Sequence, residues 1–376
     1  NIPVYSVMEM IAAKDLDEGK WVKTVDGYRL EGTSRALRPP GWARWYWTAG
    51  GLAVIALLGS VLVYRRRRVR TSGDSEQAKP LARPAVTLVE LLVALAIIAL
   101  LVGISVVGVQ KIRAGAAQAQ CANQLKQLGL ACHAAHDAHQ RMPPAFGFYP
   151  ASDLYNGSSG LGTLFFHLLP FLDQQALYQQ ARHQPMGRRG PQNYFLYTAN
   201  YVHQTNVALY RCPADPSWRP GVHPLTQAAM SSYAGNYLVY GNVDKEFFNV
   251  NAQGKPRLAQ SFPGGTSQTI LIAEKYASAS NPAFRGGCHW AYFQADCHNS
   301  VFAYVEPARN GRASLTDPNG VGPASRFQTR VDANGGCNPC LPATGHASMN
   351  ACFADASVRA LSPTMDDEAW WRSVSP

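Results

Sequence analysis

Charged side chains are scarce in this sequence. They make up 15% of its 376 residues, against 47% apolar and 10% aromatic residues. An intrinsically disordered chain shows the opposite balance, because low hydrophobicity prevents it from burying a core. The composition therefore excludes a disordered protein, and the length allows one large or two ordinary domains.

Motifs of common enzyme classes are also missing. The sequence contains no G-x-S-x-G, no H-E-x-x-H and no P-loop, which mark serine hydrolases, zinc peptidases and nucleotide-binding proteins. The Gly-rich segment GGTSQT at residues 264–269 lacks the Gly-Lys-Ser/Thr of a P-loop, so we expect a turn there. We therefore expect no enzymatic activity.

A basic surplus raises the question of a nucleic-acid partner. The net charge is +10, and the densest basic run directly follows an apolar segment. Arginines in that position mark the cytoplasmic flank of a membrane helix. We expect a lipid bilayer, and no nucleic acid, as the partner of this region. The arginines of the run are Arg65, Arg66, Arg67, Arg68 and Arg70.

Two segments are long and apolar enough to cross a membrane. The first, residues 42–64, has aromatic residues at both ends, and the second, residues 86–109, carries a single charge, Glu90. The basic residues within 65–85 predict that this linker is cytoplasmic. Residues 1–41 and everything after about residue 110 are then expected outside the cytoplasm.

The chain after the second segment predicts an α+β domain on a long helix. We expect one helix over residues 86–142, because an apolar stripe at helical spacing continues beyond the membrane segment until two prolines end it. Residues 143–376 alternate short apolar runs with turn residues, which predicts a head rich in antiparallel strands. The stripe consists of Cys121, Leu125, Leu128, Cys132 and Ala135. Expected strands are 237–240, 269–273, 301–305 and 351–353, with a second helix at 164–182.

The sequence around residue 86 resembles the N-terminus of type IV prepilins and type II secretion pseudopilins. In that pattern a small residue precedes the scissile bond, an apolar residue follows it, and Thr-Leu-Val-Glu comes next. The matching residues are Ala85, Val86, Thr87, Leu88, Val89 and Glu90. The resemblance implies cleavage after Ala85 by a prepilin peptidase, N-methylation of Val86, and assembly with other pilin-like subunits at the bacterial inner membrane. It also implies a pilin-like fold.

Glu90 requires a cationic partner within the membrane. A carboxylate at mid-bilayer costs roughly 2.5–3.5 kcal/mol on insertion scales. Cleavage before Val86 frees an α-amino group that can neutralise Glu90 of an adjacent subunit. We expect this contact to set the register of subunits in a filament.

The rest of the chain resembles a branch of prepilin-like proteins whose extracytoplasmic domain has no known function and is sometimes labelled a bacterial solute-binding domain. That branch ends with a His, nine residues and Asp-Gly. Here His346 and Asp355 have eight residues between them, and Ala356 replaces the Gly. We expect His346 and Asp355 to shape a hairpin rather than to act as an acid and base pair. The matching stretches are CANQLKQLGLACHAAHD (121–137), RCPADP (211–216), SSYAGNYLVYG (231–241), GGTSQTILIAEK (264–275) and GHASMNACFADASVR (345–359).

All eight cysteines follow the second apolar segment and so lie on the expected oxidising side. We expect disulfides among six of them, with one bridge between Cys288 and Cys297 and the other connectivity open. Cys121 and Cys132 lie on the helix stripe and are expected to pack as small apolar residues. The six candidates are Cys212, Cys288, Cys297, Cys337, Cys340 and Cys352.

Three sets of residues are alternatives as metal ligands, although we expect no bound metal or cofactor. A zinc site would use Cys337, Cys340, His346 and Cys352, but outside the cytoplasm a disulfide is favoured. Three histidines on one helix face are simply explained as a polar face. These are His133, His136 and His139. Calcium could use Asp317, Asn319 and Asp332, whose spacing matches no defined Ca²⁺ loop.

Two functions follow from these observations. The first is a pilin-like structural subunit of a pilus or a type II secretion-type filament. The second is a membrane-tethered protein whose extracytoplasmic head binds a solute or polymer through aromatic side chains. Four tryptophans are available in the head for such stacking: Trp218, Trp290, Trp370 and Trp371.

Overall fold

The structure, a computed structural model, describes part of the chain in two compact units. The units are residues 1–86 and residues 87–376. In the first, strands β1 (Trp21–Thr24) and β2 (Gly27–Leu30) pair antiparallel. The expected membrane segment 42–64 and linker 65–85 lie outside the described residues. Those are 21–24, 27–30, 88–151, 159–183, 193–195, 201–242, 253–292, 294, 296–306 and 314–376.

The second unit begins with the long helix α1 (Leu88–His139). At 52 residues it is about 78 Å long. The helix ends where Gln140 adopts a left-handed conformation, with φ at 57°, and Pro143 and Pro144 follow. The prolines predicted an end near residue 142, because neither can continue a helix. The observed end at His139 comes about one turn earlier, at the left-handed Gln140.

The C-terminal half of α1 packs under the head. All five residues of the predicted stripe have no exposed surface, and this half contacts two central strands of the main sheet. Gly129 allows the close approach, because a Cβ at this position would lie 2.5 Å from Sγ of Cys352. The stripe prediction is therefore confirmed.

The main sheet has five strands within the described residues, in the order β11-β7-β8-β14-β15. All neighbours are antiparallel except β11 and β7, which are parallel. The prediction of an α+β head with mostly antiparallel strands is confirmed. The strands are β7 (Tyr233–Asn236), β8 (Ile270–Glu274), β11 (Val301–Phe302), β14 (Met349–Phe353) and β15 (Val358–Leu361).

The strand predicted at residues 237–240 is wrong. Helix α4 (Tyr237–Tyr240) occupies this segment, directly after β7. Asn236 caps it, because its side-chain oxygen accepts a hydrogen bond from the backbone N–H of Leu238. The Asn236 amide also donates to the backbone oxygens of Ile270 and Val374, which fixes the end of β7 against β8 and the C-terminal helix.

A smaller sheet flanks the N-terminal part of the head, in the order β3-β4-β6-β5. The helix predicted at 164–182 is interrupted, because Pro170 lies in a 3-10 turn between two short helices. They are α2 (Leu164–Leu168) and α3 (Gln175–Gln180). The strands are β3 (Phe146–Tyr149), β4 (Gly160–Thr163), β5 (Arg182–His183) and β6 (Asn193–Phe195).

Short elements complete the head. The hairpin of β9 (Ser278–Ser280) and β10 (Arg285–Gly287) is antiparallel, and β12 (Gln328–Thr329) pairs parallel with β13 (Ala343–Thr344). Helix α5 (Asp367–Val374) ends the fold, with Asp366 as its N-cap. The 3-10 turns are Leu169–Phe171, Val202–Gln204, Ala208–Tyr210, Pro318–Gly320 and Pro323–Ser325.

Two disulfides join distant parts of the described chain. One links Cys121 of α1 to Cys212, with Cα atoms 5.4 Å apart, so Cys121 is not the simple packing residue that the stripe suggested. The other links Cys297 to Cys340. The expected Cys288–Cys297 bridge is wrong, because the thiol of Cys288 turns inward and donates to the backbone oxygen of Tyr233. Cys132, Cys288, Cys337 and Cys352 are free and buried.

Candidate functional site

The N-terminal half of α1 is an apolar surface without a partner in the described chain. Thirteen large apolar side chains between Val89 and Ile112 are 46–72% exposed. This helix is the one among the described residues that is long and apolar enough to cross a membrane, a property shared by membrane anchors and signal sequences. Glu90 lies in its first turn, and its side chain is not among those described.

A buried polar cluster lies where the C-terminal half of α1 meets the head. We define the Glu274 cluster as Cys121, Cys212, Glu274 and His346, each at most 4% exposed. Nε2 of His346 is 3.3 Å from Sγ of Cys212 and 3.5 Å from Oε1 of Glu274. One donor atom from each of the four side chains lies within 4.8 Å of every other.

Neighbouring groups hold the Glu274 carboxylate in place. The side-chain amide of Asn350 donates to Oε1 at 3.0 Å, and its backbone N–H donates to Oε2 at 3.2 Å. Burial nevertheless raises the pKa of Glu274 to about 7. Burial and the nearby Arg330 charge lower the pKa of His346. Both pKa shifts favour the neutral form of the side chain.

A second layer of polar groups surrounds the cluster. Asp215 accepts hydrogen bonds from the hydroxyls of Ser217 and Ser232 and from the backbone N–H of Ala277. Burial raises its pKa despite these donors. Lys275 is buried on the opposite side of β8 and donates to the backbone oxygens of Asn299 and Val301. Burial lowers the pKa of Lys275 to about 8.

All five sequence stretches quoted for the head meet in this region. Residues 121–137 contribute Cys121, and residues 211–216 contribute Cys212 and Asp215. The remaining stretches contribute Ser232, Glu274, Lys275, His346 and Asn350. Sequence reasoning missed Glu274 and Lys275, although two charges directly after the apolar run ILIA were a visible signal. They end a buried strand and so needed buried partners.

A surface cleft of about 440 Å³ lies next to the cluster, beside α1. It is lined by Gln120, Asn206, Arg211 and Trp218, among others. The guanidinium of Arg211 stacks over the Trp218 ring at 4.4 Å. The indole N–H of Trp218 is buried and has no hydrogen-bond partner in the described part of the chain. The wall of the cleft thus carries the stacked Arg211–Trp218 pair and a buried indole N–H without a hydrogen-bond partner among the described residues.

His346 and Asp355 do not form a pair. Asp355 lies in the turn between β14 and β15, where Oδ1 accepts a hydrogen bond from the backbone N–H of Ser357. His346 precedes β14 and belongs to the Glu274 cluster. Ala356, at the position where the resembling proteins have Gly, adopts a left-handed conformation with φ at 58°. This conformation explains why Gly is favoured there.

The metal-ligand sets considered from sequence are not assembled in the described residues. Cys340 is bonded to Cys297, whereas His346 contacts Cys212. His133 bonds the backbone oxygen of Ala354, while His136 approaches Asp137 and His139 packs on Tyr149. Asp317 accepts from the N–H of Asn319 and the amide of Asn338, and Asp332 accepts from the N–H of Asn334.

The processing residues fall at the edge of the described chain. Ala85, Val86 and Thr87 lie outside the described residues, and α1 begins at Leu88. Cleavage and methylation at this position therefore stay predictions. Val89, a further residue of the motif, is 66% exposed on the apolar surface.

The described part of residues 87–376 thus consists of a long helix with an exposed apolar half and an α+β head on its other half. The sequence model of one family, described as a protein of unknown function (DUF1559), matches residues 110–368. The chain belongs to this family, since the match covers more than half of it. No curated protein and no solved structure matches the chain.

Proposed function

We propose that this protein is a pilin-like structural subunit, anchored in the bacterial inner membrane by the first half of α1 and carrying its head outside the cytoplasm. The observation that supports this most directly is the division of α1. Its C-terminal stripe is fully buried under the head, while thirteen large apolar side chains of its N-terminal half are 46–72% exposed. The proposed role is structural and involves no catalysis.

The dimensions of the apolar half suit a membrane. Residues 88–109 form about 33 Å of helix, and a bilayer core is about 30 Å thick. Fully burying a large aliphatic side chain is worth about 1.5–3 kcal/mol relative to exposure in water. The apolar half therefore needs a non-aqueous environment. Lipid supplies it before assembly, and neighbouring subunits supply it within a filament.

Processing makes the proposed assembly directional. A prepilin peptidase cuts after Ala85, and the new amino group of Val86 becomes methylated. This amino group lies beside the helix of a neighbouring subunit, close to the membrane surface. It neutralises Glu90 of that neighbour. An uncompensated carboxylate in this environment is costly, so one axial register is favoured over all others.

Substituting Glu90 tests this proposal. Glu90→Ala should abolish filament assembly, measured by sedimentation of sheared filaments and cross-linking between subunits. Insertion and cleavage should persist. Glu368→Ala on exposed α5 is the matched control, because it removes the same charge far from the anchor. Undiminished filaments in the Glu90 variant would refute the proposed contact.

A membrane-tethered binding protein is the second candidate, and the Trp218 cleft is the observation that favours it. The Trp218 ring and its unpartnered indole N–H suit a solute that has both an apolar C–H face and polar groups, such as a sugar. Binding of a panel of soluble oligosaccharides should then fall at least about tenfold in Trp218→Ala, as expected for one lost stacking contact. Trp371→Phe in α5 serves as the control. Intact mass separates the candidates: a mature chain starting at methylated Val86 supports the pilin-like subunit.

A further inference from the structure

The Glu274 cluster has the spacing of a four-coordinate metal site. Tetrahedral Zn²⁺, with bonds of about 2.0–2.3 Å, places neighbouring ligand atoms about 3.3–3.8 Å apart. Nε2 of His346 lies 3.3 Å from Sγ of Cys212 and 3.5 Å from Oε1 of Glu274. Sγ of Cys212 and Oε1 of Glu274 are 4.0 Å apart. Three edges of the tetrahedron are thus close to the required lengths.

The fourth ligand is Cys121, whose sulfur is bonded to Cys212 in the disulfide. Opening that bond separates the two sulfurs and completes a set of two thiolates, one imidazole and one carboxylate. This combination selects zinc over calcium or magnesium, which prefer oxygen ligands. At most 4% of any of the four side chains is exposed. A metal here would be enclosed by protein, as in structural zinc sites.

The supporting contacts of a metal ligand are already present. Asn350 donates to both oxygens of Glu274, through its side-chain amide and its backbone N–H. Such bonds fix the direction of a ligating carboxylate. The ligands come from α1, the loop after a 3-10 turn, the end of β8 and the segment before β14. One ion would therefore hold the helix and three parts of the head together.

We propose that the dithiol form of this protein binds one Zn²⁺ through Cys121, Cys212, Glu274 and His346, and that the Cys121–Cys212 disulfide replaces the ion after oxidation. The newly synthesised chain carries both thiols, so no reductant is required to form the site. A small-molecule disulfide then accepts two electrons from the two thiolates. The new S–S bond forms, the oxidant's S–S bond breaks to give two thiolates, and Zn²⁺ leaves.

This exchange keeps α1 fastened to the head in both redox states. Before oxidation the ion joins Cys121 to the head, and afterwards the covalent bond does. Bound zinc also holds both thiolates as ligands to the metal. The site is independent of the proposed filament role, because it lies outside the apolar half of α1.

The test uses the full chain in detergent, purified anaerobically with a phosphine reductant and without chelators. Elemental analysis should find about one zinc per chain, as a four-ligand site predicts. Cobalt substitution should produce the visible spectrum of a tetrahedral ion with thiolate charge-transfer bands. Adding oxidised glutathione should release zinc in step with loss of the two thiols.

Variants decide whether the four named residues bind the ion. Cys121→Ser and His346→Ala should each lower zinc content at least about tenfold, in line with loss of a ligand. Cys288→Ser and Cys337→Ser remove free cysteines outside the cluster and should retain zinc. Circular dichroism monitors folding of each variant. A reduced wild-type chain without zinc or a cobalt spectrum lacking thiolate bands would overturn the proposal, as would zinc that survives complete oxidation.

Discussion

Ala356 and Glu274 are two of the residues in the described head that occupy unfavourable positions. Ala356 adopts a left-handed backbone conformation in the turn between β14 and β15, which costs an L-residue roughly 1–2 kcal/mol. Glu274 is a carboxylate at the buried end of β8, where burial raises its pKa to about 7. Both lie next to the C-terminal half of α1. At the junction of helix and head, backbone strain and carboxylate burial therefore lower the free energy of unfolding. Packing in the same region has to offset this loss.

Ala356→Gly should stabilise the protein. Glycine adopts positive φ without a Cβ penalty, although it also gains entropy in the unfolded chain. We expect a net gain of about 0.5–1 kcal/mol in the free energy of unfolding. Ala354→Gly in the same turn is the control and should destabilise, because Ala354 is fully buried and is not among the residues with positive φ. Denaturant unfolding measures both, and a loss of stability in Ala356→Gly would contradict the strain.

Glu274→Gln should change how stability depends on pH. In the wild type the pKa of Glu274 is about 7 in the folded protein and about 4.5 ordinarily. Its protonation therefore contributes fully to the free energy of unfolding below pH 4.5, and this contribution is lost as pH rises through 7. Glutamine has no charge to desolvate. Relative to wild type, the variant should gain up to about 3 kcal/mol between pH 4.5 and 8.

Thermal unfolding of oxidised wild type and variant across this pH range tests the expectation. His346 and Asp215 face Glu274 and titrate in both proteins, so the difference between the two curves isolates Glu274. A difference that does not grow with pH would show that Glu274 is ionised without cost.

At the scale of elements, α1 combines two surfaces in one helix. Its N-terminal half presents apolar side chains on all sides, whereas its C-terminal half has one buried stripe and polar residues elsewhere. The turn between β14 and β15 docks on this second half. Lys126 donates to the backbone oxygen of Ala356, and His133 bonds that of Ala354. The same helix thus connects the exposed apolar half directly to the head.

Gly129→Ala should weaken that docking. An added Cβ would lie 2.5 Å from Sγ of Cys352 and 3.2 Å from Cβ of Ala356, both in the packed interface. Overpacking of this kind costs about 1–3 kcal/mol. Gly115→Ala on the same helix is the matched control. Its Cβ meets nothing within 4 Å, so the higher helix propensity of alanine should give a gain of up to about 1 kcal/mol.

Denaturation of both variants in the same detergent compares the two positions. Equal effects would mean that α1 and the head do not pack as described. A selective loss in Gly129→Ala would show that close approach, rather than helix propensity, decides this contact.

At the scale of the whole molecule, the unit 87–376 combines the exposed apolar half of α1 with the head. The family match begins at residue 110, close to the point where exposed apolar side chains end on α1. Both disulfides and the buried core lie after that residue. The head with the second half of α1 therefore contains both disulfides and the buried core of the described residues in this unit.

A chain starting at residue 110 should remain in solution without detergent and unfold in a single cooperative transition. The full chain should require detergent or lipid, because its apolar half has no other partner. Size-exclusion chromatography and calorimetry measure the two properties. Aggregation of the fragment, or loss of its transition, would mean that the first half of α1 supports the head.

Several features of this protein follow from the sequence alone because their signals are local. The long apolar run, the stripe at spacings of three and four, and the ending near Pro143 and Pro144 each involve neighbouring residues. The strands around 269–273 and 351–353 were also predictable, since apolar runs between turn residues have few alternatives. Apolar periodicity wrongly predicted a continuous helix across Pro170 and a strand after Asn236. In both places a local signal, the proline and the helix cap, decides the structure.

Only the tertiary structure decided the Cys121–Cys212 bond and the Glu274 cluster. The bonded cysteines are 91 residues apart, and Cys212 and His346 are 134 apart. At such separations chain connectivity barely favours one cysteine partner over another, because loop closure cost changes slowly with length. The sheet order and the packing of α1 determine which side chains meet. Sequence periodicity therefore determined the apolar half and the buried face of α1, and strand topology determined which polar side chains meet beside that face.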